Sequence, residues 1–246
     1  MGYFDEIPAA PHVLGLLDPF ASPMLRQRVT RVELSRGKAA YRQGMHTDQL
    51  FLLEEGKVKL QRRAPDGRES IVALLGSGDV LGEACVLDDQ PNAVSAIAVT
   101  DVVLLGVPTL VLTEWLDENP MAVLPLLKVL ARRVRCANDS LTERTYSEVA
   151  ARVAREVLSL ADRFGRRTSL GVRVEHDLTQ DELAQLVGSC RETVNKALGD
   201  FAARGWLRVE ARSVVVLDRG RLGRRARSAG RSCVSGPRPT GPAVLA

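Results

Sequence analysis

Residues Leu178 to Val216, LTQDELAQLVGSCRETVNKALGDFAARGWLRVEARSVVV, decide the fold class of this chain. Thr179, with Glu182 three residues on, is the reciprocal capping pattern that starts a helix. Leu183, Leu186 and Val187 then share one helical face. Gly188 and Ser189 break that helix. A second apolar face follows, made of Val194, Leu198, Phe201 and Ala202, and Gly205 ends it. Two helices joined by a short turn containing Gly are a helix-turn-helix. Beyond Trp206, the stretches Leu207 to Glu210 and Ser213 to Leu217 read as a small β hairpin, or wing.

The second helix begins Cys190-Arg191-Glu192-Thr193, a polar turn pointing away from the apolar face. A recognition helix meets base edges through its N-terminal residues. Arg191 can pair bidentately with a guanine edge, and Glu192 can accept from a cytosine amino group. Lys196 lies about one and a half turns further on, within reach of a base or a phosphate. Thr179, Ser189 and Thr193 can bond phosphates, which fixes register without reading sequence. On periodicity alone, an ordinary helical hairpin with a solvated Arg-Glu face fits equally well.

The residues GSCRETVNKAL closely resemble the recognition helix of the Crp/Fnr (cyclic-AMP receptor protein) family of bacterial transcription regulators. The resemblance spans roughly Leu16 to Leu222. It implies that Arg191 and Glu192 read bases and that Lys196 takes a basic position more usually held by Arg. It also implies an α+β architecture: a cyclic-nucleotide-binding-type β-roll (jelly roll), a long dimerisation helix and a C-terminal winged helix-turn-helix. The expected divisions are 1–116 for arm and β-roll, 117–146 for the dimerisation helix, 147–220 for the DNA-binding domain and 221–246 for an Arg-rich tail.

Bulk properties set the outer bounds. The 246 residues allow one large or two ordinary domains, and 45% hydrophobic with 26% charged residues is a globular composition. The net charge of +4 is a tail effect: seven arginines and no acid lie from Arg219 onward, leaving 27 basic against 30 acidic residues before them. Overall basicity therefore does not argue for nucleic acid. Cys85, Cys136, Cys190 and Cys233 are scattered, a spacing that fits neither a disulfide framework nor a zinc site and suits a reducing cytoplasm. No signal peptide and no membrane-spanning run are expected. Residues 1–30, interrupted by Pro8, Pro11, Pro19 and Pro23, read as a packing arm with one short helix near Val13 to Leu17.

From about Arg31 to Pro108 the pattern is β. Leu50 to Leu53, Lys57 to Leu60, Ser70 to Leu75 and Val99 to Val107 are short apolar runs separated by Gly turns. Asp66-Gly67 between two of them is a hairpin signal. YRQGMHTDQLFLLEEGKVKL resembles the β-roll of the same family. Gly82 to Ala98, GEACVLDDQPNAVSAIA, corresponds by that resemblance to the phosphate-binding cassette. The resemblance implies effector contacts from Gly82, Glu83 and Ala84, with Glu83 on a ribose hydroxyl. The family's Arg-Ser is missing. One register puts Asn92 and Ala93 in its place, and a gapless one puts Ala93 and Val94 there. Losing that cation should cost about 2–5 kcal/mol by analogy with truncated charge pairs, a large share of the roughly 8 kcal/mol of a micromolar affinity. The expectation is that cyclic AMP binds weakly or not at all, with another small effector as the alternative.

Thr113 to Asn119 reads as a helical turn, and a long helix starts near Pro120. Leu124, Leu127, Ala131, Val134, Asn138, Leu141 and Thr145 form a heptad seam suited to a second copy of the chain. Val123, Leu126 and Leu130 form a second line toward the β-roll. The resemblance places Asn138 at an adenine contact, while its place in the seam also fits a polar residue setting dimer register. Ser147 to Phe164 is a further helix, Gly165 to Thr168 a loop, Leu170 to Val174 a strand, and His176 a solvated loop residue.

Residues 221–246 read as disordered, with an Arg cluster that either attracts DNA phosphates or is simply solvated. No catalytic or metal arrangement has interpretable spacing, so an enzyme is not expected. The function read from the sequence is a homodimeric, cytoplasmic regulator that binds palindromic double-stranded DNA and works with RNA polymerase. A small-molecule-binding module with a secondary DNA role is the runner-up. Thiol sensing through Cys85, Cys136 or Cys190 is a third reading, with buried inert thiols as its plain alternative.

Overall fold

A computed structural model describes residues 27–227. Residues 1–26 of the arm expected at 1–30, including its helix near Val13, lie outside the described residues, as does the chain beyond 227.

Eight strands build the N-terminal half: β1 (Thr30–Leu34), β2 (Ala39–Tyr41), β3 (Gln49–Glu55), β4 (Lys57–Arg63), β5 (Glu69–Gly76), β6 (Val80–Leu81), β7 (Ser95–Ala98) and β8 (Val102–Pro108). They form two antiparallel four-stranded sheets, ordered β1-β8-β3-β6 and β2-β7-β4-β5. Alternation within β3 shows how the layers are made. Phe51 and Leu53 enter a core shared with Val58, Leu60, Leu75 and Ala96 of the other sheet. Leu50 and Leu52 turn to the opposite side, against Trp115 and Leu126. The Asp66-Gly67 turn joins β4 to β5 as the sequence predicts. Gly56 sits at φ 89° between β3 and β4, where a Cβ would fall 2.3 Å from the Asp101 carbonyl oxygen.

The short helix α1 (Glu83–Asp88) interrupts the roll. Helix α2 (Thr109–Glu118) starts four residues earlier than the sequence suggests, and a 3-10 turn at Pro120–Ala122 leads into α3 (Val123–Tyr146). Leu126 packs on the roll as expected, whereas Val123 is exposed. Leu124, Leu127, Val134 and Leu141 of the seam are each more than half exposed in the single chain.

The C-terminal half comprises α4 (Val149–Phe164), β9 (Gly165–Thr168), β10 (Gly171–Glu175), α5 (Gln180–Val187), α6 (Arg191–Ala203), β11 (Leu207–Val209), β12 (Ser213–Val216) and α7 (Arg219–Arg227). Its sheet runs β11-β12-β10-β9. Three expectations are corrected here. Gly165 to Thr168 is strand β9, not a loop, because pairing with β10 orders residues that are all exposed. The tail expected to be disordered from 221 begins inside helix α7. Leu222 and Ala226, four residues apart, plug the domain core, and Arg219–Asp162 (2.5 Å) and Arg225–Glu148 (2.6 Å) ion pairs tie the helix to α4. His176 is buried, only 2% exposed, rather than solvated.

His176 lies where the two halves meet. Lys57 of β4 reaches the Asp177 carboxylate at 2.5 Å and the Glu175 carbonyl at 2.6 Å, and Lys59 meets Glu182 at 2.6 Å. Arg163 donates to the Leu74 carbonyl at 2.6 Å and pairs with Asp79. The Phe164 ring covers Gly76, which has no side chain to displace it. The apolar core continues across this junction, since Leu74 and Val99 of the roll belong to the cluster built by α4, α5 and α6.

Burial pushes the His176 pKa down to about 4 from 6.5, and its Nδ1 accepts the Leu178 amide at 3.1 Å. The unfolded chain therefore takes up a proton first as pH falls. Stability from this group is complete above about pH 6.5 and is lost toward pH 4, by up to about 3 kcal/mol. In urea denaturation across that window, His176→Asn, which keeps an acceptor for Leu178, should show a shallower loss than the native chain.

Candidate DNA-reading surface and effector site

The turn between α5 and α6 is held from both ends. Thr179 Oγ1 accepts the Glu182 amide at 3.2 Å and Glu182 returns a carboxylate oxygen to the Thr179 amide at 2.7 Å, the capping box read from the sequence. Burial pushes the Glu182 carboxyl up, but Lys59 and the Thr179 amide outweigh it and hold its pKa below the usual value. Gly188 takes the left-handed conformation at φ 73°, and Ser189 donates its amide back to the Ala184 carbonyl at 3.0 Å. Arg152 of α4 donates to the carbonyls of Val187 (3.3 Å), Gly188 (3.2 Å) and Ser147 (2.8 Å). Its guanidinium satisfies the free carbonyls at the end of α5, a cation at a helix C-terminus. Sequence reading does not find Arg152, whose partners at the end of α5 lie 35 and 36 residues away.

This frame presents one face of α6 to solvent. Val194, Ala197, Leu198 and Phe201 are buried, and Arg191, Glu192, Thr193 and Lys196 are exposed. Arg191 pairs with Asp181 of α5 at 3.1 Å, which holds the guanidinium at the start of the helix. Cys190 Sγ and Thr193 Oγ1 lie 3.0 Å apart, and that hydrogen bond lowers the thiol pKa. Four of the six residues predicted to contact DNA, Ser189, Arg191, Glu192 and Thr193, therefore cluster at the α5–α6 turn and the first turn of α6, with Lys196 further along the exposed face and Thr179 at the start of α5. Thr179 uses its hydroxyl oxygen within the capping box.

The effector residues divide. Gly82, at φ 85°, donates its amide to the Tyr41 hydroxyl oxygen at 3.2 Å. Glu83 is 5% exposed, and its Oε1 is ion-paired with Arg133 of α3, which also donates to the Val80 carbonyl. Burial pulls the Arg133 pKa down. Asn92 is buried too, and its side chain donates to the Met45 carbonyl at 2.8 Å. Its backbone completes that tie, donating to Met45 at 3.0 Å and accepting from Gly44 at 2.8 Å. Ala84 and Ala93 are exposed. Asn138 lies five residues beyond Arg133, about 140° around the helix, on the exposed seam with Val134 and Leu141. A cavity of about 390 Å³, lined by His46, Thr47, Asp48, Cys85, Val86, Asp89 and Thr109, contains none of the predicted effector residues. Arg133 escaped sequence reading because it lies 50 residues from its partner on a helix rich in arginine.

Comparison with known proteins now bears on this arrangement. Residues 31–119 match the cyclic nucleotide-binding domain family, and residues 151–225 the Crp-like helix-turn-helix domain family. A CRP-like cAMP-activated global transcriptional regulator of Mycobacterium tuberculosis is 43% identical over 91% of this chain and 100% of its own length. The chain belongs to the Crp/Fnr family of transcription regulators. The cyclic AMP receptor protein of Thermus thermophilus is 34% identical over 74% of this chain and 84% of its own. Among solved structures, a CRP-family transcriptional regulator from Thermus thermophilus is 30% identical, with a TM-score of 0.68, covering 80% of this chain and 97% of its own. FixK2 of Bradyrhizobium japonicum, 21% identical with a TM-score of 0.74 over 82% of this chain and 99% of its own, shares the fold. As a Crp/Fnr regulator the chain carries a cyclic-nucleotide-binding domain and a helix-turn-helix DNA-binding domain, and the family is not one of enzymes. Among the described residues no helix is long and apolar enough to cross a membrane, and no group of three or more His, Cys, Asp or Glu side chains is placed to hold a metal ion.

The Glu83–Arg133 pair gives a stability test. Arg133→Ala strands a buried carboxylate. Because the Arg133 side chain is 32% exposed, the loss should fall at the low end for such pairs, about 2 kcal/mol. Adding Glu83→Gln to Arg133→Ala removes the stranded charge and should recover most of it in urea denaturation.

Proposed function

We propose that this regulator binds palindromic double-stranded DNA as a homodimer in the cytoplasm, and acts there on transcription by RNA polymerase. The observation that carries the reading is the exposed first turn of α6, with Arg191, Glu192 and Thr193 supported from behind by the capping box and Arg152. In this reading Arg191 reads a guanine edge and Glu192 a cytosine amino group. Lys196, Thr179, Ser189 and Thr193 serve as phosphate or secondary contacts. The exposed seam of α3, Leu124, Leu127, Val134 and Leu141, is covered by the same helix of a second copy. Pairing there would set two recognition helices on successive half-sites. Asn138, within that seam, sets register or meets an effector from the helix side.

The Mycobacterium tuberculosis relative is described as activated by cAMP. For this chain we propose a weak response or none. Neither Asn92, committed to Met45, nor Ala93 supplies a cation for a cyclic phosphate. Titrating genomic DNA fragments, including the protein's own promoter, with and without cyclic AMP at fixed salt tests both parts. Tight specific binding unchanged by the nucleotide is expected. Strong enhancement would overturn the effector part, and no specific binding would overturn the DNA part.

Arg191→Ala should lose about 1–3 kcal/mol on the specific site and relax selection at one base pair per half-site. Equal losses on specific and random DNA would make Arg191 a phosphate contact instead. Val134→Asp, which places a charge in the seam, should convert the dimer to monomer in sedimentation velocity and weaken palindrome binding without altering the monomer's circular dichroism.

A further inference from the structure

The reading face of α6 balances its charges. Arg191 and Lys196 are exposed, and so are Glu192 and, on the adjoining α5, Asp181. Asp181 is joined to one of these cations. Its Oδ2 accepts from Arg191 Nη1 at 3.1 Å, ten residues on in the chain. The next residue, Glu182, is turned inward to the capping box and Lys59, so the first turn of α5 sends one carboxylate to the β-roll and the other to the start of α6.

Stability does not account for the Asp181–Arg191 pair. Its side chains are 57% and 62% exposed for Arg191 and Asp181, and at such a site solvent and salt screen the attraction while both side chains lose freedom. The consequence falls on Arg191 itself. A bare guanidinium on a DNA-facing helix is drawn to any phosphate, whatever the sequence. With a carboxylate beside it, the opposite charges largely cancel at a distance, while the short-range donors remain. Nη1 is the nitrogen engaged. The edge formed by Nε and Nη2 is left for the two acceptors of one guanine, O6 and N7. A guanine edge is neutral and selects the geometry of the fork, whereas a phosphate selects charge and carries no sequence.

We propose that Asp181 determines specificity: by pairing with Arg191 it makes that side chain a guanine reader rather than a phosphate binder. The proposal rests on the reading of Arg191 as a base contact. Asp181 acts through Arg191, as a positioning residue, and makes no base contact of its own.

The test is binding of the full-length protein to two duplexes, one selected by the native protein from a randomised pool and one of random sequence, over a series of salt concentrations. Asp181→Asn keeps an acceptor beside Nη1 and removes the charge. Random DNA should then bind about eightfold more tightly per protomer at about 0.1 M salt, with a log–log salt slope steeper by about 0.9 per protomer, the signature of one more phosphate neutralised. The selected duplex should gain less, so the ratio of specific to random affinity falls by at least about threefold. Asp181→Glu should restore the native ratio. With Arg191→Ala already in place, Asp181→Asn should leave the ratio unchanged, because the cation it releases is gone. Equal tightening on both duplexes would make Asp181 a general repellent of DNA and overturn the proposal. An unchanged salt slope overturns it too, as does a fall in the ratio that persists without Arg191. If Arg191→Ala lowers the ratio and Asp181→Asn does not, the base-reading role stands and this proposal alone fails. If Arg191→Ala leaves the ratio intact, or the native protein selects no site, both fail.

Discussion

The carboxylate of Glu182 joins the two halves of this protein. One oxygen closes the capping box that starts α5, and the other holds Lys59 of the β-roll. The helix that supports the recognition helix is thus started and tethered by the same side chain. Lys57 with Asp177, and Arg163 with Asp79, extend the tether on either side. These pairs are partly buried, where interactions between charges are screened less than at the surface. The position of α6 relative to the roll therefore depends on a few charged contacts around a continuous apolar seam, and a change in the roll has a direct mechanical route to the DNA-reading face.

Local signals were the legible part of the sequence. The Thr179-Glu182 spacing, the Gly188 break, the Asp66-Gly67 hairpin and the alternation in Leu50 to Leu53 each depend on residues within a few positions of one another. Such patterns follow from backbone geometry and survive into the fold unchanged. The apolar seam of α3 was legible for the same reason, while the second copy proposed to cover it leaves no mark on the single chain.

What the sequence did not disclose depends on distant partners. Arg152 and Arg133 look like any other helical arginine until the turn at Gly188 and the cassette at Glu83 are brought beside them. His176 reads as a loop residue because its neighbours are polar, yet Lys57, Asp177 and Glu182 cluster around it and the roll buries it. Helix α7 was hidden by composition. Five arginines and two glycines in nine residues carry little apolar signal, but Leu222 and Ala226 are enough to anchor it once α4 supplies Asp162 and Glu148. Asn92 shows the reverse: its position in the cassette suggested a ligand contact, and the structure gives its amide to Met45.

The shared core has an evolutionary consequence. Leu74 and Val99, contributed by the sensor half, are packed within the same cluster as Val153, Leu183 and Phe201 of the DNA-binding half. A recombination event that exchanged the sensor would remove two side chains from the interior of its neighbour and uncover apolar surface there. Grafting either half onto a different partner would therefore need matching substitutions where Leu74 and Val99 meet that cluster.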